Sequence, residues 1–120
     1  MPARVLVVDD AVFMRAMIRE ALANSGFEVV AEASNGEEAV ARYEESRPDV
    51  VTMDITMPQM DGVQAVREIL RRDPGARVVM VSAMGQQALV VEAIQAGARD
   101  FVVKPFDQAR LVEAIRRALR

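Results

Sequence analysis

Two hydrophobic patterns alternate along this chain, and the alternation restricts its fold more than any other feature. Apolar runs rich in β-branched residues occur at residues 5–8, 27–31, 50–53, 78–81 and 101–103. Segments with the three-to-four-residue spacing of an amphipathic helix follow each run. Mostly continuous apolar strands are typical of a parallel sheet covered by helices on both faces. The sequence therefore predicts five β-α units in a three-layer α/β/α sandwich.

Capping residues indicate where the helices begin. Ser34 with Glu37 has the spacing of a capping box before the second helix, and Asp61 with Gln64 has it before the third. Asp107 is expected to cap the fifth. In the first helix, six apolar residues are expected to lie on one face: Phe13, Met14, Met17, Ile18, Ala21 and Leu22.

Length, charge and composition exclude several classes of protein. A chain of 120 residues is about the size of one domain, so we expect a single domain over residues 1–120, acting as a monomer. The net charge is −3 and no basic stripe is visible, which argues against a nucleic-acid partner. Apolar runs are far shorter than the roughly 20 residues of a membrane span, so no membrane insertion is expected. The absence of Cys and of a signal peptide favours the cytoplasm.

Four of the five predicted strands end in side chains that can do chemistry. Asp9 and Asp10 follow the first strand, Asp54 the third, Ser82 the fourth and Lys104 the fifth. In an open parallel sheet, ligands bind at the carboxyl ends of the strands. The chain also has no His and no Cys, so its chemistry must use carboxylates, hydroxyls and lysine. We therefore expect one site with three acids, a hydroxyl and a cation.

Three converging carboxylates favour a metal ion and phosphoryl chemistry. Their mutual repulsion would raise their pKa values unless a cation neutralised them, and Mg²⁺ suits oxygen ligands. One carboxylate could then act as a nucleophile toward phosphorus, with Lys104 and Ser82 contacting the phosphoryl oxygens. Each residue also has an ordinary explanation, such as a helix cap, a turn hydroxyl or a structural Lys104–Asp54 pair. It is the combination that points to a functional site.

At these residues the whole chain resembles the receiver domain of two-component response regulators. The resemblance implies a flavodoxin-like sheet with strand order 2-1-3-4-5. Residues 9–15 and 82–87 are similar to stand-alone chemotaxis regulators of that family. The motifs that carry the resemblance are Val7-Val8-Asp9-Asp10, Asp54-Ile55-Thr56-Met57-Pro58 with Asp61-Gly62, Ser82-Ala83 and Lys104-Pro105-Phe106.

The resemblance assigns a role to each residue of the site. It implies that Asp54 is the phosphoacceptor and that Lys104 contacts the phosphoryl group, with a cis peptide bond after Lys104. It implies that Asp10, Asp54 and the backbone carbonyl of Thr56 ligate Mg²⁺, and that Asp9 acts through water. Mn²⁺ or Ca²⁺ could take the place of Mg²⁺ in a structure. Gly62 is expected in a tight turn near the site.

The same resemblance implies a switch and an output face. It couples the Ser82 hydroxyl to the aromatic ring of Phe101, where the family usually has Tyr. The output face would comprise the fourth helix, the fifth strand and the fifth helix, and the apolar fourth helix singles out Val90 as a residue that meets a partner. Thr56 and Met84 occupy the positions that tune hydrolysis of the phosphoryl group.

Four functions remain open from the sequence. The leading one is a binding switch that is phosphorylated by a chemotaxis histidine kinase, signals to the flagellar motor switch protein and is reset by a phosphatase. It would act on its own Asp54 alone and would not be an enzyme with an outside substrate. The alternatives are a phosphorelay or phosphate-sink receiver, and a receiver cut from a larger regulator. A haloacid-dehalogenase-type phosphatase ranks last, because Thr56 stands where that family needs a second acid.

Overall fold

Five parallel strands and five helices make up the part of the chain that the computed structural model describes, residues 2–120. The sheet has the order β2-β1-β3-β4-β5, and every pair of neighbouring strands is parallel. The predicted fold class and the strand order implied by the resemblance are confirmed. The elements are β1 Arg4–Val8, α1 Val12–Ala23, β2 Glu28–Ala33, α2 Gly36–Ser46, β3 Val50–Asp54, α3 Gly62–Arg72, β4 Val78–Ser82, α4 Gln87–Ala96, β5 Asp100–Val103 and α5 Gln108–Leu119.

Two apolar layers hold the sheet between the helices. Successive residues of a strand point to opposite faces, so Leu6 packs into the layer under α2, α3 and α4, and Val7 into the layer under α1 and α5. Both faces are covered, which explains why β1, β3 and β4 are apolar without alternation. In residues 2–120, no helix is long and apolar enough to cross a membrane.

The capping residues of α3 and α5 are those that the sequence predicts. Asp61 Oδ1 accepts a hydrogen bond from the Gln64 amide at 2.9 Å, and Gln64 Oε1 accepts one from the Asp61 amide at 3.2 Å. Asp107 accepts from the backbone amide of Arg110 at 2.8 Å. Both helix starts are therefore fixed by local sequence.

The prediction for the start of α2 is wrong by one residue. Asn35 caps the helix, accepting from the backbone amide of Glu38 at 2.8 Å. Ser34 instead donates both its amide and its hydroxyl to the Glu38 carboxylate, each at 2.9 Å. The capping spacing occurs twice in succession, from Ser34 to Glu37 and from Asn35 to Glu38, so spacing alone cannot choose. Strand β2 runs to Ala33, so Ser34 lies between the strand and the helix and Asn35 takes the N-cap position.

The apolar face predicted for α1 is only partly buried. Ile18 and Leu22 are buried, but Phe13 is 74% exposed and Met17 is 46% exposed. The row through Met14, Ile18 and Leu22 fills the contact with the sheet. The row through Phe13 and Met17 is rotated by about 100° around the helix axis from the row through Met14 and Ile18, so its side chains face solvent.

This difference in burial within one helix can be tested by mutation. We expect Phe13→Gln to change the free energy of unfolding by no more than about 0.5 kcal/mol, because the ring is mostly in solvent. Leu22→Ala should lower it by about 2–5 kcal/mol, because it leaves a cavity. Urea unfolding followed by circular dichroism measures both. A large loss in Phe13→Gln would contradict the placement of α1.

Candidate functional site

The polar strand ends meet at one edge of the sheet, as the sequence predicts. Asp9 follows β1, Asp54 ends β3, Ser82 ends β4 and Lys104 follows β5. Strands β1 and β3 are neighbours, which places Asp9 beside Asp54. Lys104 reaches back across β4, and its Nζ lies 3.1 Å from Asp9 Oδ2 and 3.4 Å from Asp54 Oδ1.

Three carboxylates form a cluster there. One oxygen each from Asp9, Asp10 and Asp54 lies within 4.8 Å of the others. Asp9 is fully buried and Asp54 is 6% exposed, whereas Asp10 is exposed to solvent. Carboxylate oxygens are hard ligands that suit a divalent cation such as Mg²⁺, and the exposed member leaves the site open to water. The donor set therefore fits the predicted metal.

Burial raises the pKa of Asp54 from 3.8 to about 6, and the negative charge of Asp9 adds to the rise. Lys104 and the backbone amide of Ile55 oppose it, because both donate hydrogen bonds to the carboxylate. Both of these bonds end on Oδ1. Within residues 2–120, Oδ2 has no hydrogen-bond donor, so one oxygen of this carboxylate is available to react.

Gly62 lets α3 begin directly against the strand that carries Asp54. Its amide donates to the Ile55 carbonyl at 2.7 Å, and a Cβ at this position would lie 2.1 Å from the Asp54 carbonyl oxygen. Such a contact is impossible, so only glycine fits. Gly62 lies near the site, as the sequence predicts. Glycine is needed there because two backbone segments approach each other closely, and not because of an unusual turn, since Gly62 does not have a positive φ.

The predicted cis peptide bond is present between Lys104 and Pro105. The Lys104 amide donates to the Ser82 carbonyl at 2.7 Å, which ties the segment after β5 to the end of β4. The side chain of Lys104 is 23% exposed, so it bridges the two buried acids from the rim of the pocket.

Comparison with known proteins decides which family has this arrangement. The profile of the response regulator receiver domain matches residues 5–116. The chain belongs to the response regulator receiver family. The chemotaxis protein CheY of Bacillus subtilis is 60% identical to this receiver over 119 residues, covering 99% of each chain. CheY of Thermotoga maritima is 57% identical over 115 residues, covering 96% of each.

A solved structure supports the same assignment. The receiver superposes with a TM-score of 0.91 on a chain of the CheX-CheY-BeF3-Mg+2 complex from Borrelia burgdorferi. The two are 40% identical, and the match covers 96% of this receiver and 87% of that chain. The chain is thus the receiver of a two-component response regulator, a class of domain that uses Mg²⁺ and is not a family of enzymes.

The two residues of the predicted switch both line an apolar groove. Ser82 is 1% exposed, and its hydroxyl donates a long hydrogen bond of 3.5 Å to the Val102 carbonyl. Phe101 is 37% exposed. The groove between α4 and β5 has a volume of about 550 Å³, and its walls include Ser82, Val90, Val91, Ile94, Phe101 and Val103.

Val90, the residue of α4 that is expected to meet a partner, lines this groove but is mostly buried. Val90 is 7% exposed and belongs to the core layer under α4. The exposed apolar residues of α4 are its neighbours Leu89 and Val91 and, one turn on, Ile94. Helical rotation of about 100° per residue separates a buried Val90 from an exposed Val91, so an apolar run cannot by itself tell which residue faces out.

The two residues predicted to tune hydrolysis lie on separate loops. Thr56 is exposed in the loop after β3, and Met84 is 78% exposed in the loop after β4. Sequence reasoning missed Gln86, whose side-chain amide joins these two loops through a 2.6 Å hydrogen bond to the Thr56 hydroxyl. It also missed Arg15, which donates to the Asp9 carbonyl at 2.7 Å. Nothing in the sequence distinguishes Gln86 from Gln87, so no sequence signal could have found it.

Proposed function

We propose that this receiver is a chemotaxis switch that accepts a phosphoryl group on Asp54 from a histidine kinase and then binds the flagellar motor switch protein. The observation that carries the proposal is the Asp54 carboxylate, which is buried beside Lys104 and the acid pair and has one oxygen that accepts no hydrogen bond from residues 2–120. The identity to CheY proteins over nearly the whole chain supports the chemotaxis assignment. We further propose that residues 1–120 act as a single, monomeric unit.

Asp54 Oδ2 is the proposed nucleophile. It attacks the phosphorus of a phosphohistidine, a P–O bond forms as the P–N bond breaks, and the released imidazole nitrogen takes a proton from water. The Lys104 ammonium already lies between the Asp9 and Asp54 carboxylates, where it can contact the oxygens of the incoming phosphoryl group. Asp10, Asp54 and the Thr56 carbonyl would hold Mg²⁺, with Asp9 acting through water. When bound, the ion neutralises charge on the acids and on the transferring phosphoryl group.

Ser82 and Phe101 are the proposed link to the output face. The 3.5 Å hydrogen bond of Ser82 is weak, so its hydroxyl loses little by turning toward a phosphoryl oxygen on Asp54. That movement would free space for the Phe101 ring beside the groove. Phosphorylation would thereby shift the population of groove shapes that a partner can bind.

The same comparison supports a proposal for the protein that resets this receiver. The Borrelia burgdorferi relative is found in a complex with CheX. We propose that a protein of this kind is the phosphatase that resets this receiver. Binding of phosphorylated protein to a motor switch peptide would distinguish the proposed output from a phosphorelay or phosphate sink, which would not bind it.

Intact-mass spectrometry tests the proposal. After incubation with acetyl phosphate and Mg²⁺ we expect one phosphoryl adduct, which is absent without Mg²⁺ and absent in Asp54→Asn. An adduct that persists in Asp54→Asn, or no adduct on well-folded parent protein, would contradict the assignment.

The lifetime of that adduct is expected to depend on Met84. Its exposed apolar side chain is in the loop after Ser82, and we propose that it limits the approach of water to the phosphoryl group. We expect Met84→Glu to hydrolyse several-fold faster than the parent, and Met84→Leu, which stays apolar, to match the parent. Loss of adduct with time after removal of acetyl phosphate gives the rates. A slower Met84→Glu would contradict this role.

A further inference from the structure

One side chain ties together the two loops that border the candidate site. The Gln86 Oε1 accepts a hydrogen bond from the Ala83 amide at 2.7 Å, and the Gln86 Nε2 donates to the Thr56 hydroxyl at 2.6 Å. A backbone amide can only donate, so Oε1 must face Ala83 and Nε2 must face Thr56. The side chain therefore links the loop after β4 to the loop after β3 in one orientation.

This use of Gln86 is not explained by the helix that it precedes. Gln86 is the N-cap residue of α4, but its side chain makes no capping hydrogen bond. It is half-buried, whereas Ala83, Met84 and Gly85 before it and Gln87 after it are exposed. The cap position is thus occupied by a residue that stabilises the two loops and leaves the helix start uncapped.

We propose that Gln86 is a positioning residue for the magnesium site, acting through Thr56. Thr56 lies two residues after Asp54, and under the proposed function its backbone carbonyl is a ligand of the ion. Thr56 is in an exposed loop. The hydrogen bond from Gln86 to its hydroxyl restrains the position of Thr56 in that loop. Mutation of a group that holds a metal ligand in place typically costs about 10–100-fold in metal affinity or activity. This inference rests on the proposed function.

Mg²⁺ binding measured by isothermal titration calorimetry tests the inference without relying on activity. We expect Gln86→Met, which keeps the length of the side chain but removes both hydrogen bonds, to weaken Mg²⁺ binding about tenfold. The matched control is Gln87→Met, because Gln87 is the next residue, is exposed and makes no side-chain hydrogen bond in the described chain. The control should stay within about twofold of the parent.

A double-mutant cycle separates the hydrogen bond from a general loosening of the loop. Thr56→Val removes the hydroxyl and keeps the backbone carbonyl, so it should also weaken Mg²⁺ binding. Adding Gln86→Met to Thr56→Val should then change the affinity by less than about twofold, because the shared bond is already lost. With acetyl phosphate, Gln86→Met should need more Mg²⁺ for half-maximal phosphorylation but reach the rate of the parent at saturating Mg²⁺.

The outcomes distinguish this inference from the function on which it rests. If the parent binds Mg²⁺ and folded Gln86→Met binds it equally well, the positioning role is wrong and the proposed function stands. Fully additive effects of Thr56→Val and Gln86→Met would also overturn the role. If the parent binds no Mg²⁺ and forms no adduct, the proposed function falls, and this inference falls with it.

Discussion

Replacing Gly62 with alanine is expected to lower the free energy of unfolding by about 3 kcal/mol or more. The added Cβ would lie 2.1 Å from the Asp54 carbonyl oxygen and 2.9 Å from the Ile55 Cα. Both are backbone atoms of the segment that ends the central strand β3, so neither can move aside cheaply. The start of α3 would have to shift away from the strand. Urea unfolding of Gly62→Ala beside the parent measures the loss.

Gly75→Ala is the matched control for this substitution. Gly75 lies in the turn after α3, and its φ is outside the left-handed region. A Cβ added there would have Asp73 Oδ1 as its nearest atom, at an ordinary contact distance of 3.5 Å. We expect it to be neutral or to gain up to about 1 kcal/mol, because alanine restricts the unfolded chain. Equal stability of Gly62→Ala and Gly75→Ala would contradict the close approach at the site.

Replacing Asp54 with asparagine is expected to stabilise the metal-free protein at pH 7, by about 1–2 kcal/mol. The carboxylate is buried next to the negative charge of Asp9, which raises the pKa of Asp54 to about 6. Asparagine keeps the shape and removes the charge, and Lys104 remains paired with Asp9 at 3.1 Å. The expected gain is smaller than the free energy that corresponds to the whole pKa shift of Asp54, because Asp10 is exposed and Lys104 is partly exposed, and water can screen the charges. Thermal unfolding with a chelator present measures the gain.

The pH dependence of this effect has a definite sign. The pKa of Asp54 is raised on folding, from 3.8 to about 6, so the folded state binds more protons between those values. The contribution of Asp54 to stability is therefore fully present below pH 3.8 and is lost as the pH rises through about 6. The gain from Asp54→Asn should appear over this window and level off above it.

Asp10→Asn controls for the loss of one negative charge in the cluster. Asp10 is the exposed member, so its ionised form keeps much of its hydration, and we expect a smaller gain than with Asp54→Asn. Mg²⁺ should raise the stability of the parent more than that of either variant, because each lacks one ligand. A loss of stability in metal-free Asp54→Asn would mean that the pair with Lys104 outweighs burial and repulsion.

The fold could be predicted because local patterns and packing agree. Each of β1, β3 and β4 is apolar on both faces, and each predicted helix has its own start signal or stop signal. The strand order is different, since it followed from the resemblance and no pattern in the sequence encodes which strands are neighbours. The errors fall where two local readings were equally good, as at Ser34 and Asn35.

The site could be predicted as a set because parallel strands end at one edge. That rule brings Asp9, Asp54, Ser82 and Lys104 together without any knowledge of distances. It cannot say which apolar residues of a helix face solvent, such as Phe13 and Val91, and which are buried, such as Val90. Nor can it reveal Gln86, whose contacts depend on the path of two loops.

The chemical identity of the phosphorylated residue tests the central claim most directly. Protein treated with acetyl phosphate and Mg²⁺ would be reduced with borohydride, which converts an aspartyl phosphate to homoserine, and then digested and sequenced by tandem mass spectrometry. We predict homoserine at position 54 alone, and only when Mg²⁺ was present. Homoserine at position 9 or 10, a stable phosphate ester on Ser82 or Thr56, or unmodified Asp54 in a sample that carries the adduct would contradict the account.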